Sequence, residues 1–232
     1  MEVSRVRALR GPNLWSHHTS VEAIVACTPE EESIAALEGF EPRLRVRFPQ
    51  MGALQTYGHN ETVPLAQVLE LTALTLQAEA GCPVSFSRTT ATLETGIYQV
   101  GVEYSEEDVG RLALELAQQL IASARADTPF DLAAALKQLR DLDEDVRLGP
   151  STGSIVQAAV ARNIPFRRMT EGSMVMFGWG SRQRRIQAAE IDATGAIAET
   201  IAQDKELTKK LLDAAGVPVP QGRGVSDPDD AW

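Results

Sequence analysis

The sequence predicts an α+β fold in two parts: a mixed α/β domain over residues 1–147 and a second α/β lobe over residues 148–232. Three features carry this. Short segments with apolar residues at every second position are interspersed with longer stretches whose apolar residues recur every three or four. An acidic run, DLDED, gives way near Val146–Gly149 to the small, turn-prone GPSTGS, which marks the boundary. Beyond it, helical and strand-like segments alternate, which suggests α/β layering.

Glu2 to Leu9 alternates Val3, Val6 and Leu9 with polar residues and reads as an edge strand, ending at the turn Gly11-Pro12-Asn13. VEAIVAC (Val21 to Cys27) reads as a second strand. TPEEESIAALEG reads as a short helix, with Thr28 as cap, Pro29 in the first turn and Gly39 as stop. RLRVRF, from Arg43 to Phe48, alternates with period 2 and predicts a strand. Leu65, Val68, Leu69, Thr72 and Leu76 form one helical stripe, closed by Gly81. PVSFSRT and IYQVGVEY are strand-like, joined by a Thr-rich connection ending at Gly96. Ser105 and Asp108 resemble a capping box for a helix running to about Ala124, and a further helix follows Pro129. Past the boundary come a helix over Ser154 to Arg162, a strand around Ile164 to Arg167 and the strand MVMFGWG. Helical sequence is then expected to Gly216, and SDPDDAW reads as the start of one more helix.

At 232 residues the chain can bury one large core or two small ones. Its 44% hydrophobic and 23% charged residues are ordinary for a soluble globular protein. A formal net charge of -10 argues against nucleic acid as the main partner, since phosphates need a basic face. No apolar run reaches the roughly 20 residues that span a bilayer, and MEVSRVRALRGPNLW lacks the apolar block of a signal peptide. No membrane role and a cytoplasmic setting are therefore expected. Cys27 and Cys82 are far apart without a CxxC, so reduced thiols are expected, with Cys82 packing as a small hydrophobe. His17, His18 and His59 show no metal-ligand spacing; the His17-His18 pair follows a tryptophan in a polar turn, and His59 has no catalytic partner in its local motif.

Three strings carry candidate chemistry. In LGPSTGSIVQAAVARNIP, Ser151 and Thr152 can cap a helix whose inner face is Ile155, Val156, Ala159 and Val160. The N–H groups of a helix start favour an anion such as a carboxylate, and an ordinary cap without ligand fits the same string. No P-loop is present, because the GxxxxGK[ST] spacing is missing. In FGWGSRQRRIQAA, a strand ends at Gly178-Trp179-Gly180 and a basic turn or helix start follows, with Arg182, Arg184 and Arg185. Arginine forks suit carboxylates, though a solvated basic face gives the same pattern, and Trp179 reads as a packing residue. In DKELTKKLL, Asp204 can cap a helix that starts with Lys205, while Leu207, Leu211, Leu212 and Ala215 face the core. A lysine opposes the dipole there; an anionic ligand relieves the conflict, and a solvated surface lysine is the alternative.

LRGPNLWS, AGCPVSFSRT, GIYQVGVEY, LGPSTGSIV, FGWGSRQRRIQAA and AQDKELTKKLLDAAGVPVPQG, in this order, resemble the cyanophycin synthetase family along nearly the whole chain. The last three resemble the entry to that family's ATP-grasp domain. The stretch GHNETVPLAQVLELTALTLQ matches the family only loosely. The resemblance implies a noncatalytic N-terminal domain that helps hold a polymer of aspartate with arginine side branches. The ATP-grasp domain that follows it phosphorylates the polymer's terminal carboxylate for attack by aspartate; arginine is added by a separate domain absent here. It further implies ATP and Mg²⁺ as cofactors, polymer primer, aspartate and arginine as partners, and a homo-oligomer. By the same resemblance Ser151, Thr152, Ser154 and Arg182 become candidates for substrate binding, and Lys205 for ATP phosphates. The chain stops at Trp232, before most of the groups that would hold ATP and Mg²⁺, so it is expected to be an incomplete ATP-grasp unit, inactive alone. A noncatalytic polymer- or partner-binding module and a ligase of glutathione-synthetase type are the alternatives.

Overall fold

A computed structural model describes residues 1–55, 62–188, 190–227 and 229–231. His59 and the strand of sequence around it lie outside the described residues. The elements in chain order are β1 (Glu2–Leu9), β2 (Ser20–Ala26), α1 (Phe40–Arg47), α2 (Leu65–Ala80), β3 (Ser87–Ala91), β4 (Ile97–Glu103), α3 (Glu107–Ala126) and α4 (Leu132–Val146). They continue with α5 (Pro150–Val160), β5 (Phe166–Arg168), β6 (Met174–Phe177), β7 (Arg184–Gln187), β8 (Glu190–Ile191), α6 (Ala196–Gln203) and α7 (Lys205–Ala214). This is the α+β class that the sequence predicts: helices and two antiparallel sheets.

The first sheet has the order β1-β2-β4-β3, so β1 is an edge strand as its pattern predicts. Alternation sends Val21, Ala23 and Val25 of β2, with Val100 and Val102 of β4, to one face, where α2 and α3 cover them. α1 and α4 pack behind, closing a core that includes Phe40, Leu44, Leu69, Leu76, Leu120 and Leu139. The end of α2 is a Schellman turn: Cys82 N–H donates to Gln77 O (3.0 Å) and Gly81 N–H to Ala78 O (3.0 Å), with Gly81 at φ 101°. Cys82 is buried beyond it, as expected of a small hydrophobe, and burial pushes its thiol pKa up.

The other face of this sheet carries a polar cluster under a loop. Glu22 on β2 accepts from Gln99 Nε2 (2.7 Å), Arg7 Nη2 (2.9 Å) and Trp15 Nε1 (3.3 Å). Trp15 lies so close over β4 that a Cβ at Gly101 would come 2.9 Å from its indole, so only glycine fits there. Asn13 locks the same loop: its amide donates to Gly11 O (2.9 Å) and His18 O (2.8 Å), and its carbonyl accepts from Trp15 N (2.8 Å) and Ser16 N (3.1 Å). Burial would raise the Glu22 pKa, but the Gln99, Arg7 and Trp15 donors outweigh it and hold the carboxyl below its ordinary 4.5.

Several elements differ from the sequence expectation. RLRVRF is not a strand but most of helix α1. Its period-2 arginines mask a four-residue repeat, Phe40, Leu44 and Phe48, all fully buried, while Val46 is 79% exposed. Arg45 takes a helical partner, Glu41 one turn back (2.7 Å), and Arg47 reaches Asp127 at the end of α3 (2.9 Å). The segment Thr28 to Gly39 forms two 3₁₀ turns, Pro29–Glu32 and Ile34–Ala36, broken by the extended backbone of Ser33. The Ser105–Asp108 capping box does not form; Glu106 is the N-cap of α3, and the buried Ser105 hydroxyl has no partner among the described residues.

The second sheet, β5-β6-β7-β8, is antiparallel rather than the interior of an α/β layering. α5 lies against its inner face, where Val156, Val175 and Ile186 meet Leu148, Val160, Phe166 and Phe177. The segment after Trp179 is not a helix start: a 3₁₀ turn, Gly180–Arg182, leads into β7 and β8, and helix resumes only at Ala196. β-branched Ile186 and its pairing with Val175 favour strand there. α6 and α7 pack on each other, and Thr208 Oγ1 donates to Ile201 O. Leu207, Leu211, Leu212 and Ala215 form the expected stripe but are exposed, since none of the described residues covers them. Of the SDPDDAW tail, only the 3₁₀ turn Asp229–Ala231 is described as an element.

Leu44→Ala should destabilise the protein by about 2–5 kcal/mol, as a large-to-small change in a closed core, while Val46→Ala should be near neutral. Urea denaturation of the two variants separates the helix from a strand, in which both side chains share a face. A second expectation concerns pH. Because the folded Glu22 pKa is depressed, its contribution is present above the ordinary 4.5 and fades as pH falls through the folded value. Glu22→Gln should therefore flatten the acid limb of stability against pH, read from urea midpoints.

Candidate functional site

The start of α5 places the serine and threonine candidates. Gly149 is the N-cap and Pro150 the first helical residue, so Ser151 and Thr152 sit inside the first turn instead of capping it. Proline suits that position because its missing N–H would have been unsatisfied there. Thr152 is turned inward, 2% exposed, and Ser154 Oγ donates to Pro150 O (2.8 Å). Ser151 is exposed. No side chain caps this helix, so its first-turn N–H groups are open to a ligand or solvent. Of the expected inner face, Val156 and Ala159 are buried, Val160 is half-buried and Ile155 is exposed.

Lys205 is the first residue of α7, as its sequence predicts. The Asp204 carboxylate caps the helix by accepting from Glu206 N (3.0 Å) and Leu207 N (2.9 Å). Lys205 is exposed, whereas Lys210 one turn on pairs with Glu206 (2.9 Å). Arg182 ends the 3₁₀ turn after Trp179 and is also exposed. Thus Ser151, Thr152 and Ser154 share α5, while Arg182 and Lys205 stand on two other elements.

Two cavities adjoin the second sheet. One, of about 210 Å³, lies beside Met174, Arg185, Gln187 and Glu190. The other, of about 230 Å³, opens between the Gly11–Thr19 loop and the turn from α5 into β5, and its walls include His17, His18, Asn163, Phe166 and Trp179. Ser151, Arg182 and Lys205 line neither. Trp179, expected to pack, is 62% exposed.

Arg168 holds the two layers together, a role that its sequence position does not reveal. Its Nη1 donates to Glu106 Oε2 (2.8 Å) at the start of α3 and to Val146 O (2.6 Å) at the end of α4, and its Nε donates to Gly172 O (3.0 Å). Burial pushes the Glu106 pKa up, against the opposing pull of Arg168. Among the described residues no three His, Cys, Asp or Glu side chains gather as a cation site, and no helix is long and apolar enough to cross a membrane. The open start of α5 and the exposed ammonium of Lys205 each suit an anionic group.

Arg168→Ala should destabilise the protein by about 1.5–3 kcal/mol, the range for hydrogen bonds to charged groups, and leave Glu106 without its cation. Hydrogen exchange should then rise in β5 and in the Leu148–Gly149 link before it rises in β2.

Residues 24–125 match the family model of the cyanophycin synthase-like N-terminal domain. Over 246 residues the chain is 35% identical to the cyanophycin synthetase of Trichormus variabilis, covering 99% of this chain and 27% of that protein. It is 36% identical over 242 residues to the cyanophycin synthetase of Crocosphaera subtropica, covering 96% and 27%. It is 27% identical over 147 residues to the glutathione biosynthesis bifunctional protein GshAB of Desulfotalea psychrophila, covering 58% and 19%. The chain spans about a quarter of the length of the cyanophycin synthetases that it matches. Residues 24–125 are thus similar to the N-terminal domain of cyanophycin synthetases, and the similarity to those proteins continues through the second sheet and the closing helices.

Proposed function

We propose that the chain is the N-terminal portion of an ATP-dependent ligase that adds aspartate to the backbone of an aspartate polymer bearing arginine branches. The observation that carries this reading is identity to cyanophycin synthetases sustained over 99% of the chain, not confined to the N-terminal domain. In this reading residues 1–147 help hold the polymer and residues 148–232 open an ATP-grasp domain. ATP supplies activation of the terminal carboxylate as an acyl phosphate. Of Ser151, Thr152 and Ser154, the open first turn of α5 supports Ser151 in receiving that carboxylate: the helix dipole favours an anion and the exposed Ser151 hydroxyl adds a donor, whereas Thr152 faces the core and the Ser154 hydroxyl is donated to Pro150 O. Arg182 adds a guanidinium fork on the same lobe. Lys205, at the positive end of α7, is relieved of its conflict with the dipole when an ATP phosphate lies between them.

The similarity to GshAB supports a second reading, a ligase of glutathione-synthetase type. ATP consumption by the longer ligase that contains this chain distinguishes the two. Dependence on aspartate and a polymer primer supports the first; consumption driven by a small peptide without primer supports the second. The 232-residue chain alone is expected to be inactive.

In the longer ligase, Lys205→Ala should weaken ATP binding by about tenfold, on the scale of a charged hydrogen bond. Ser151→Ala should raise the apparent requirement for primer or aspartate while leaving stability nearly unchanged, because Ser151 does not cap α5. Unaltered nucleotide affinity in the first variant, or unaltered kinetics in the second, removes that residue from the site.

A further inference from the structure

Glu70 is a buried carboxyl that the ligase reading does not use. It lies in the middle of α2, 1% exposed, on the face turned toward the edge strand β3. Pairing with β4 sets Ser87 opposite Val102 and Thr89 opposite Val100, and both valines are in the core. The two β3 hydroxyls therefore point under the sheet, toward α2. Ser87 Oγ donates to Glu70 Oε1 (2.7 Å), and the Thr89 hydroxyl stands beside the same carboxyl. Glu70 Oε2 and Thr89 Oγ1 are both buried, and neither has a partner among the described residues. Two orphaned oxygens close together are costly in a closed core.

What Glu70 lacks is a cation. Buried charges in folded proteins are paired, or else the group neutralises. Arg88 pairs with Gly101, so it lies on the opposite face of the sheet, exposed, and its charge reaches Glu70 only across the strand. β4 brings Tyr98, whose hydroxyl donates to Glu32 (3.5 Å). The 3₁₀ turn Pro29–Glu32 brings Glu31, which is held by the Met1 ammonium and by Arg125 of α3. α4 brings Arg140 and Asp143, the first on Glu79 O and the second on Cys82, at the far end of α2. None of these groups bonds to Glu70. Burial pushes the Glu70 pKa up and outweighs the pull of Thr89, Ser87 and Arg88. A carboxylate only accepts, whereas a carboxylic acid also donates. A proton on Oε2 thus removes an unpaired buried charge and supplies the donor that Thr89 Oγ1 lacks.

We propose that Glu70 works as a protonated latch between α2 and β3: the neutral acid accepts from Ser87 and donates to Thr89, and loss of its proton leaves an unpaired charge beneath the strand and loosens it. As an edge strand, β3 is paired by β4 alone, so this tie is its second support. Because the folded pKa lies above the unfolded one, the contribution of the latch is full below the ordinary 4.5 and is lost as pH rises through the folded value. The sign is opposite to that of Glu22, whose pKa is depressed. The proposal goes beyond the ligase reading and does not rest on it.

The test is carboxyl carbon NMR of the 232-residue chain, with the Glu70 signal assigned by through-bond correlation to its own backbone. Its titration midpoint should lie above those of the exposed glutamates in the same spectra. Amide hydrogen exchange then reads the latch. Corrected for the intrinsic rise of exchange with pH, protection of the β3 amides should fall several-fold as pH rises through that midpoint. In Glu70→Gln it should stay level, because the amide still accepts from Ser87 and donates to Thr89 without titrating. Protection in β2 should stay level in both chains. A Glu70 midpoint at or below those of the exposed glutamates, or the same pH dependence of β3 protection with and without the carboxyl, overturns the proposal. The titration is read on the unsubstituted chain, so it decides the matter even if Glu70→Gln folds poorly. No ATP or turnover is involved, so failure here leaves the ligase proposal intact, and failure of ligase activity leaves this one intact.

Discussion

The Arg168 guanidinium is the point on which the relation between the two layers depends. One side chain bonds the start of α3, the end of α4 and the turn after β5. These partners belong to segments far apart in sequence, and each is an acceptor at the end of an element. A lysine could not serve all three, because it lacks the rigid fork. By fixing β5, Arg168 also fixes Phe166, whose carbonyl lies beside Gly11, and so sets the width of the cavity between loop and turn.

The first layer contributes rigidity of another kind. The Glu22 carboxylate is drawn under the Trp15 indole on the sheet face opposite the core, with Arg7 and Gln99 as further donors. Placing a carboxylate there costs desolvation, which its three donors offset. The loop is held at two points: Trp15 packs on Gly101, and Asn13 closes the turn by donating to Gly11 O and His18 O. The two layers thus meet through a loop and a turn that are each immobilised from within.

Much of this was legible in the sequence because much of it is local. The stripe Leu65 to Leu76, the Gly81 stop, the alternation in β2 and β4 and the Asp204 cap depend on neighbours within a few residues. The α1 segment was misread because its arginines alternate as strongly as its apolar residues repeat; only burial of Phe40, Leu44 and Phe48 by α3 decides between the two periods. The strands β7 and β8 were missed because pairing, of β7 with β6 and of β8 with β7, supplies the order that these short, polar-rich segments lack. Of the candidate site, the positions of Ser151, Lys205 and Arg182 at element starts and turns follow from local signals, though the cap shifted to Gly149. The meeting of His17 and His18 with Trp179, like the Glu106–Arg168 tie, joins residues with no common motif, and no periodicity encodes it.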